Sequence, residues 1–361
     1  MSIIGNKRSV NHPGIYLLDA IEALGMTQYE FGKRTNIHPK TITQLINGEA
    51  NITFEIANNL SMFFGNSVEL WMNLQTRYNS YLKEKELEEN QEKEWEIVKL
   101  FDKDFLSQIC KIEFDKLSNS QIIAELKRCF MVTSLQNLKT PDLFSFCKTS
   151  VIKDTTEKQI ILRNAWISYA MYLSKNIVCE EYNKLELLNV IPKLRSLTLE
   201  RPDIFEPKLR QYLSLAGIKF VALLYLKGSN ISGVTRWLPS EKAILVVVND
   251  CGKNADRIWF SIFHELGYAF QNHKRHLTIS LEKNNIIDHD EIEANQFAEN
   301  HLIPLDQYKL FILKNDFSID AIKCFAESIG IADYIVIGRL KKDKLVDWTM
   351  YDDYHIKYFI C

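Results

Sequence analysis

"MTQYEFGKRTNIHPKTITQLING", residues 26–48, decides how the N-terminal part of this chain folds. It holds two short helical patterns with one sharp turn between them. Thr27 can cap the first helix, because its hydroxyl accepts from an orphan backbone N–H. Phe31 is that helix's inward apolar residue, and the small Gly32 beside it lets a second helix cross closely. Asn36 falls at the turn. Ile37, Ile42 and Leu45 supply core contacts, and Asn47-Gly48 closes the second helix. Pro39, Lys40, Thr41 and Gln44 are left near its N-terminal, outward side.

This is the layout of a helix-turn-helix, which places those four positions in the major groove of DNA. Gln44 can pair bidentately with adenine, Lys40 can reach guanine or phosphate, and Thr41 suits a phosphate or a thymine methyl. Gln28, opening the first helix, is placed to meet a phosphate. Charge alone would suit an ordinary small helical domain, since residues 1–82 hold six Lys/Arg against six Asp/Glu. The spacing argues for DNA. The stretch resembles the Cro/repressor-type helix-turn-helix. Its continuation "GEANITFEIANNLSMFFGNSVELWMNLQTRYN" (48–79) is similar to the HigA subfamily of toxin–antitoxin antidotes, whose pattern is NIT, FG, LW and LQ in that order. The resemblance implies a five-helix DNA-binding domain over 1–82, an operator as partner, and a HigB-like ribonuclease toxin as a second partner. A neutral domain binds weakly alone, because affinity rests largely on neutralised phosphates. A homodimer on a pseudo-palindromic operator is therefore expected. Trp71 and Tyr78 suit either its interface or the core.

Beyond this module the character changes twice. "LKEKELEENQEKEWEIVK" (82–99) carries seven Glu and three Lys between Lys83 and Glu96 with almost no apolar stripe, and reads as a solvated connecting helix. Residues 83–210 form a helical connecting region without a motif that carries chemistry, and its aromatic residues suit a core. After 210 the period shortens. "GIKFVALLYL" (217–226), "SGVTRWL" (232–238) and "AILVVVND" (243–250) read as strands, and helical patterns follow at 255–272, 289–302 and 318–329. The expected fold class is mainly α with an α+β C-terminal part over 211–361.

Within that part, "FSIFHELGYAFQNH" (260–273) is one residue from an HExxH helix. Residues four apart share a helix face, so two imidazoles there can hold one zinc ion, with the intervening Glu as base for its water. Here the second histidine is Tyr268. "DEIEANQFAENHLIP" (290–304) can supply a further ligand, and the i, i+4 pair Glu291 and Asn295 allows one to ligate while the other orients a histidine. "WFSIFHELGYAF", "EIEANQFAENHLIP" and the tail "FAESIGIADYIVIGRLKKDKLVDW" resemble the ImmA/IrrE family of zinc metallopeptidases. The resemblance implies a zincin-like domain with a small sheet, His264 and Glu291 as metal ligands, and Glu265 as general base. Glu293 is an alternative ligand about 200° further around the helix. Tyr268 has no counterpart in that pattern, and a phenol of pKa about 10 binds metal well only after losing its proton. His273 faces away on a continuous helix, and His276 and His289 would need the loop to fold inward.

The 361-residue chain is 46% hydrophobic and 25% charged with a net charge of −2, as expected for a soluble multi-domain protein. No apolar run approaches a membrane span and "MSIIGNKRSV" lacks an apolar signal core, so a cytoplasmic protein without a membrane partner is expected. Seven scattered cysteines suggest neither disulfides nor a thiolate zinc site, but buried small hydrophobes. "SIDAIKCFAESIGIADYIVIGRLKK" (318–342) has a second helix-turn-helix look, though the resemblance places it on the peptidase-like core. The sequence thus reads as a DNA-binding regulator of antitoxin type, whose C-terminal pseudo-peptidase domain senses or docks and holds no cofactor. The alternative is an active zinc metallopeptidase that cleaves a repressor or partner.

Overall fold

Capping sets the boundaries of the first five helices. In this computed structural model, which describes residues 10–141, 143–144, 155–250, 254–271, 277–281, 289–354 and 356–358, α1 (Pro13–Ala23) starts on a proline, whose missing N–H costs nothing there. The next helix, α2 (Gln28–Thr35), is capped by Thr27, whose hydroxyl accepts from Glu30 N at 3.1 Å. Asn36 closes it with φ 54°, a left-handed turn that asparagine tolerates. Then follow α3 (Pro39–Ile46), α4 (Phe54–Phe64) and α5 (Val68–Val98). Two units divide the chain, Met1–Lys93 and Glu94–Cys361, and α5 contributes residues to both.

Unit 1 packs around Leu17, Phe31, Ile42, Leu45, Leu60 and Trp71. Each such buried side chain contributes about 1.5–3 kcal/mol of apolar burial. Gly32 faces the Ile37 carbonyl and Ile42, where a Cβ would not fit, so α2 and α3 cross at a residue that has none. Trp71 is 4% exposed and belongs to this core, which removes it from any interface, while Tyr78 is half-buried against His12. The NIT and LQ pieces of the pattern meet physically. Buried Gln75 accepts from Ile52 N at 2.8 Å and donates to Asn51 at 3.0 Å, and Thr53 caps α4.

The charged run of α5 is exposed from Leu82 to Asn90. Its far end is not solvated. Glu94 is buried and receives Ser134 Oγ, Leu135 N and Lys127 Nζ at 2.8, 3.0 and 2.7 Å, and Ile97 and Val98 are buried too. Unit 2 continues through α6 (Lys103–Cys110), α7 (Asn119–Cys129), a 3₁₀ turn (Leu135–Lys139), α8 (Glu157–Ser174), α9 (Lys184–Ser196) and α10 (Pro202–Leu215).

A four-stranded mixed sheet follows, built from β1 (Ile218–Leu223), β2 (Ile231–Leu238), β3 (Ala243–Asn249) and β4 (Thr278–Leu281) in the order β1-β3-β2-β4. The first pair is parallel and the other two are antiparallel. Alternate residues serve opposite faces, as a pleated strand requires. Phe220, Val246 and Val248 join one core with α9, α10 and the helices that follow β3, whereas Val221, Leu245 and Val247 join another with α6 to α8. The sheet thus carries helices on both sides, which explains why β3 is buried along its whole length. Helices α11 (Ala255–Gln271), α12 (His289–Leu302), α13 (Leu305–Leu313), α14 (Ile319–Ile329) and α15 (Asp333–Lys342) complete the chain.

One further expectation needs correction. Of the described cysteines only Cys129 is buried; Cys110 and Cys179 are half-buried and Cys324 is exposed. The 318–342 segment forms two helices around Gly330, and α15 buries Val336, Ile337 and Leu340 in the core it shares with the sheet. Lys341 is 1% exposed and Arg339 is held by Glu299 and Asp343, so that helix presents no basic face.

Candidate functional site

In unit 1, α3 leaves Lys40 and Thr43 exposed, with Pro39, Thr41 and Gln44 half-buried beside them. His38 caps the helix, its Nδ1 accepting from Lys40 N at 3.2 Å. Gln28 is tied to this face, because Thr43 Oγ1 donates to its amide oxygen at 2.9 Å. The amide nitrogen of Gln28 is then the donor that can meet a phosphate. Sequence reasoning missed Thr43 and His38. The Pro39 at the first helical position did mark 38 as the cap, but nothing local marks Thr43, whose partner lies in another helix.

In unit 2 the HELGY residues lie on α11 between the sheet and α12. Gly267 makes the close approach possible, since a Cβ there would meet the Ala294 backbone at 2.9 Å. That approach sets the α12 residues over His264. The Nδ1 atom faces Asn295 Oδ1 at 3.2 Å, and Nε2 stands 3.7 Å from Glu291 Oε1. His264 is 6% exposed, and burial lowers its pKa against the opposing pull of Glu291 and Asn295, so the ring stays neutral. Tyr268 packs edge-on to His264 and donates its hydroxyl to Glu291 Oε2.

Glu265 points the other way, into the sheet. It is 1% exposed, and its two carboxyl oxygens meet Thr235 Oγ1 of β2 at 2.6 Å and Ser280 Oγ of β4 at 2.5 Å. Burial pushes its pKa up to about 8, with the two hydroxyls working against the shift. Thr235 has one proton and a second acceptor in reach, the Glu265 carbonyl at 3.1 Å, so a protonated carboxyl satisfies the whole group. Gly233 lies under the same carboxyl, where a Cβ would collide with Oε1. Thr235, Ser280 and Gly233 were not foreseen; the one local signal was a glycine inside a strand, which marks close approach of another group.

The set His264, Glu291 and Tyr268 does not fit a tight zinc ion. It offers one imidazole, one carboxylate and a phenol already bonded to that carboxylate, where such sites use three strong protein ligands. No three His, Cys, Asp or Glu side chains gather around a possible metal position among the described residues. Glu293 faces His289 at 3.5 Å rather than His264, and the His289 side chain is 80% exposed. His273 and His276 lie outside the described residues. None of the described helices is long and apolar enough to cross a membrane.

Residues 17–71 match the family described as helix-turn-helix, and residues 221–324 match the IrrE N-terminal-like domain. The chain is 32% identical over 74 residues to the HTH-type transcriptional regulator YddM of Escherichia coli, covering 20% of this chain and 79% of that protein. Virulence-associated protein I of Dichelobacter nodosus is 26% identical over 82 residues, 22% of this chain and 76% of its own. Among solved structures, an addiction module antidote protein of a HigA family from Coxiella burnetii is 31% identical. It spans 24% of this chain and 95% of its own, with a TM-score of 0.23.

Proposed function

The chain belongs to the helix-turn-helix family of transcriptional regulators, and from that premise we propose an antitoxin-type regulator whose peptidase-like domain neither binds zinc nor cuts peptides. The DNA-binding part acts as a homodimer on a pseudo-palindromic operator. Lys40 and Gln44 carry base or phosphate contacts, with Pro39 and Thr41 against the groove and Gln28 on the backbone. The 48–79 pattern makes a HigB-like toxin the candidate protein partner. Unit 2 serves as the docking or sensing part, in the cytoplasm. One observation carries the metal-free reading: at the position of the second imidazole, Tyr268 gives its hydroxyl to Glu291, the would-be ligand.

A second reading, an active metallopeptidase that cleaves a repressor, draws on the Asn295 bond that orients His264 Nε2 towards Glu291. The two separate cleanly. In a gel shift with its own promoter, Lys40→Ala and Gln44→Ala weaken binding, and in cells Glu265→Gln leaves promoter regulation as in wild type. Regulation lost on Glu265→Gln contradicts the metal-free reading. Full operator affinity in both α3 variants contradicts the assignment of the recognition helix.

A further inference from the structure

Thr43 is exposed on α3, and the operator-binding reading gives it no task. It lies four residues after Pro39, so the two share one face of the helix. Pro39 carries no polar side-chain atom, and Thr43 supplies that face with its hydroxyl. Opposite, Gln28 and Gly32 are four apart on α2 and turn the same way, and Gly32 is where α3 crosses, with Pro39 Cγ 3.3 Å from the place of a Cβ. This brings the Gln28 amide oxygen to 2.9 Å from Thr43 Oγ1.

The hydroxyl has one proton and a second acceptor, the Pro39 carbonyl at 3.2 Å. A threonine inside a helix often gives its proton to the carbonyl four residues back. Given to Gln28 instead, it holds the amide by its oxygen and leaves both protons of Nε2 free, with no described residue accepting them. Given to Pro39, it would let Nε2 bond the hydroxyl and turn the amide oxygen outward. A phosphate only accepts, so the first arrangement alone can meet it.

Within the operator-binding reading, on which this rests, we infer that Thr43 is a positioning residue. It holds Gln28 with the amide nitrogen towards an operator phosphate and reads no base itself. With its proton committed, Thr43 has no donor left for a base edge, so its contribution is the same for every sequence. It is uncharged, so it releases no counterion. What it supplies is order: a glutamine fixed before the encounter loses less side-chain freedom on binding.

The test is a gel shift of the full-length protein on a fragment of its own promoter, repeated in a salt series and on fragments with single-base changes. Thr43→Val removes the hydroxyl and keeps the shape. It weakens binding about tenfold over the two copies, by one factor on every fragment and with the salt slope of wild type. Thr43→Ser restores wild-type affinity, and in a Gln28→Ala background Thr43→Val costs nothing further. Gln28→Glu keeps an oxygen for Thr43 but sets a carboxylate against the phosphate, and binds more weakly than Gln28→Ala. That pair decides should Thr43→Val fail to fold. Wild-type affinity in Thr43→Val, a loss confined to one base position, no rescue by serine, the same loss again in Gln28→Ala, or Gln28→Glu binding as well as Gln28→Ala overturns the proposal and leaves operator binding standing. A wild-type protein that shifts no promoter fragment overturns both.

Discussion

Replacing Tyr268 with histidine should turn this site into one that holds zinc. A phenol oxygen extends roughly 2 Å beyond the position of an imidazole Nε2 on the same backbone, which is the length of one Zn–N bond. Tyr268 therefore reaches to where an ion would sit on a histidine, and there it bonds Glu291. In Tyr268→His that space opens. Two tetrahedral ligands at zinc lie about 3.3 Å apart, and His264 Nε2 and Glu291 Oε1 stand 3.7 Å apart. The closure required is about 0.4 Å, within ordinary thermal displacement. If a full structural site of four ligands is worth ~10–16 kcal/mol, one added imidazole contributes about 3 kcal/mol, or about a hundredfold in affinity. The assay is competition against a chromophoric chelator, with zinc per chain measured after dialysis. A variant that takes up no more zinc than wild type would refute the claim that Tyr268 is what closes the site.

Other substitutions test the remaining parts of the account. In salt titrations of operator binding, Lys40→Ala should lower the slope by about 1 if it neutralises a phosphate, and Gln44→Ala should relax selection at one adenine by about 1–3 kcal/mol; uniform wild-type behaviour in both removes them from the interface. Gly233→Ala drives a methyl into the Glu265 carboxyl and should cost unit 2 about 1–3 kcal/mol by overpacking; a neutral result in denaturant unfolding means the carboxyl is not packed there. His12 caps α1 through Nδ1, and burial holds its pKa below the usual 6.5. A lowered folded pKa means that the neutral ring's contribution is complete above pH 6.5 and is lost as pH falls through the folded value. His12→Asn keeps a capping oxygen without titrating, so its unfolding temperature should fall less between pH 7.5 and 5 than that of wild type; parallel curves refute this.

Local chemistry was legible and remote pairing was not. Thr27, Asn36, Pro39 and Gly65 announce the ends of α2 to α4 because caps and turns depend on neighbours along the chain. The β-branched runs announced β1 to β3. The four residues of β4 carry too little pattern to stand out, and with them Ser280 stayed hidden. The site divides in the same way. His264, Glu291 and Asn295 could be named because each helix has its own spacing, and the structure brings all three together. The hydroxyl pair around Glu265 arises from strands 30 residues before and 15 after it, separations that no local rule spans. Buried Glu94 looked like one more charge of a solvated run until Lys127, Ser134 and Leu135 closed on it.

The central claim is that this regulator works without a metal in its peptidase-like domain. Zinc per chain in the wild-type protein, purified without chelator from zinc-replete cells, tests that most directly. The account predicts a small fraction of one equivalent that dialysis removes. One tightly held zinc per chain would contradict it and make Tyr268, or a histidine outside the described residues, a ligand.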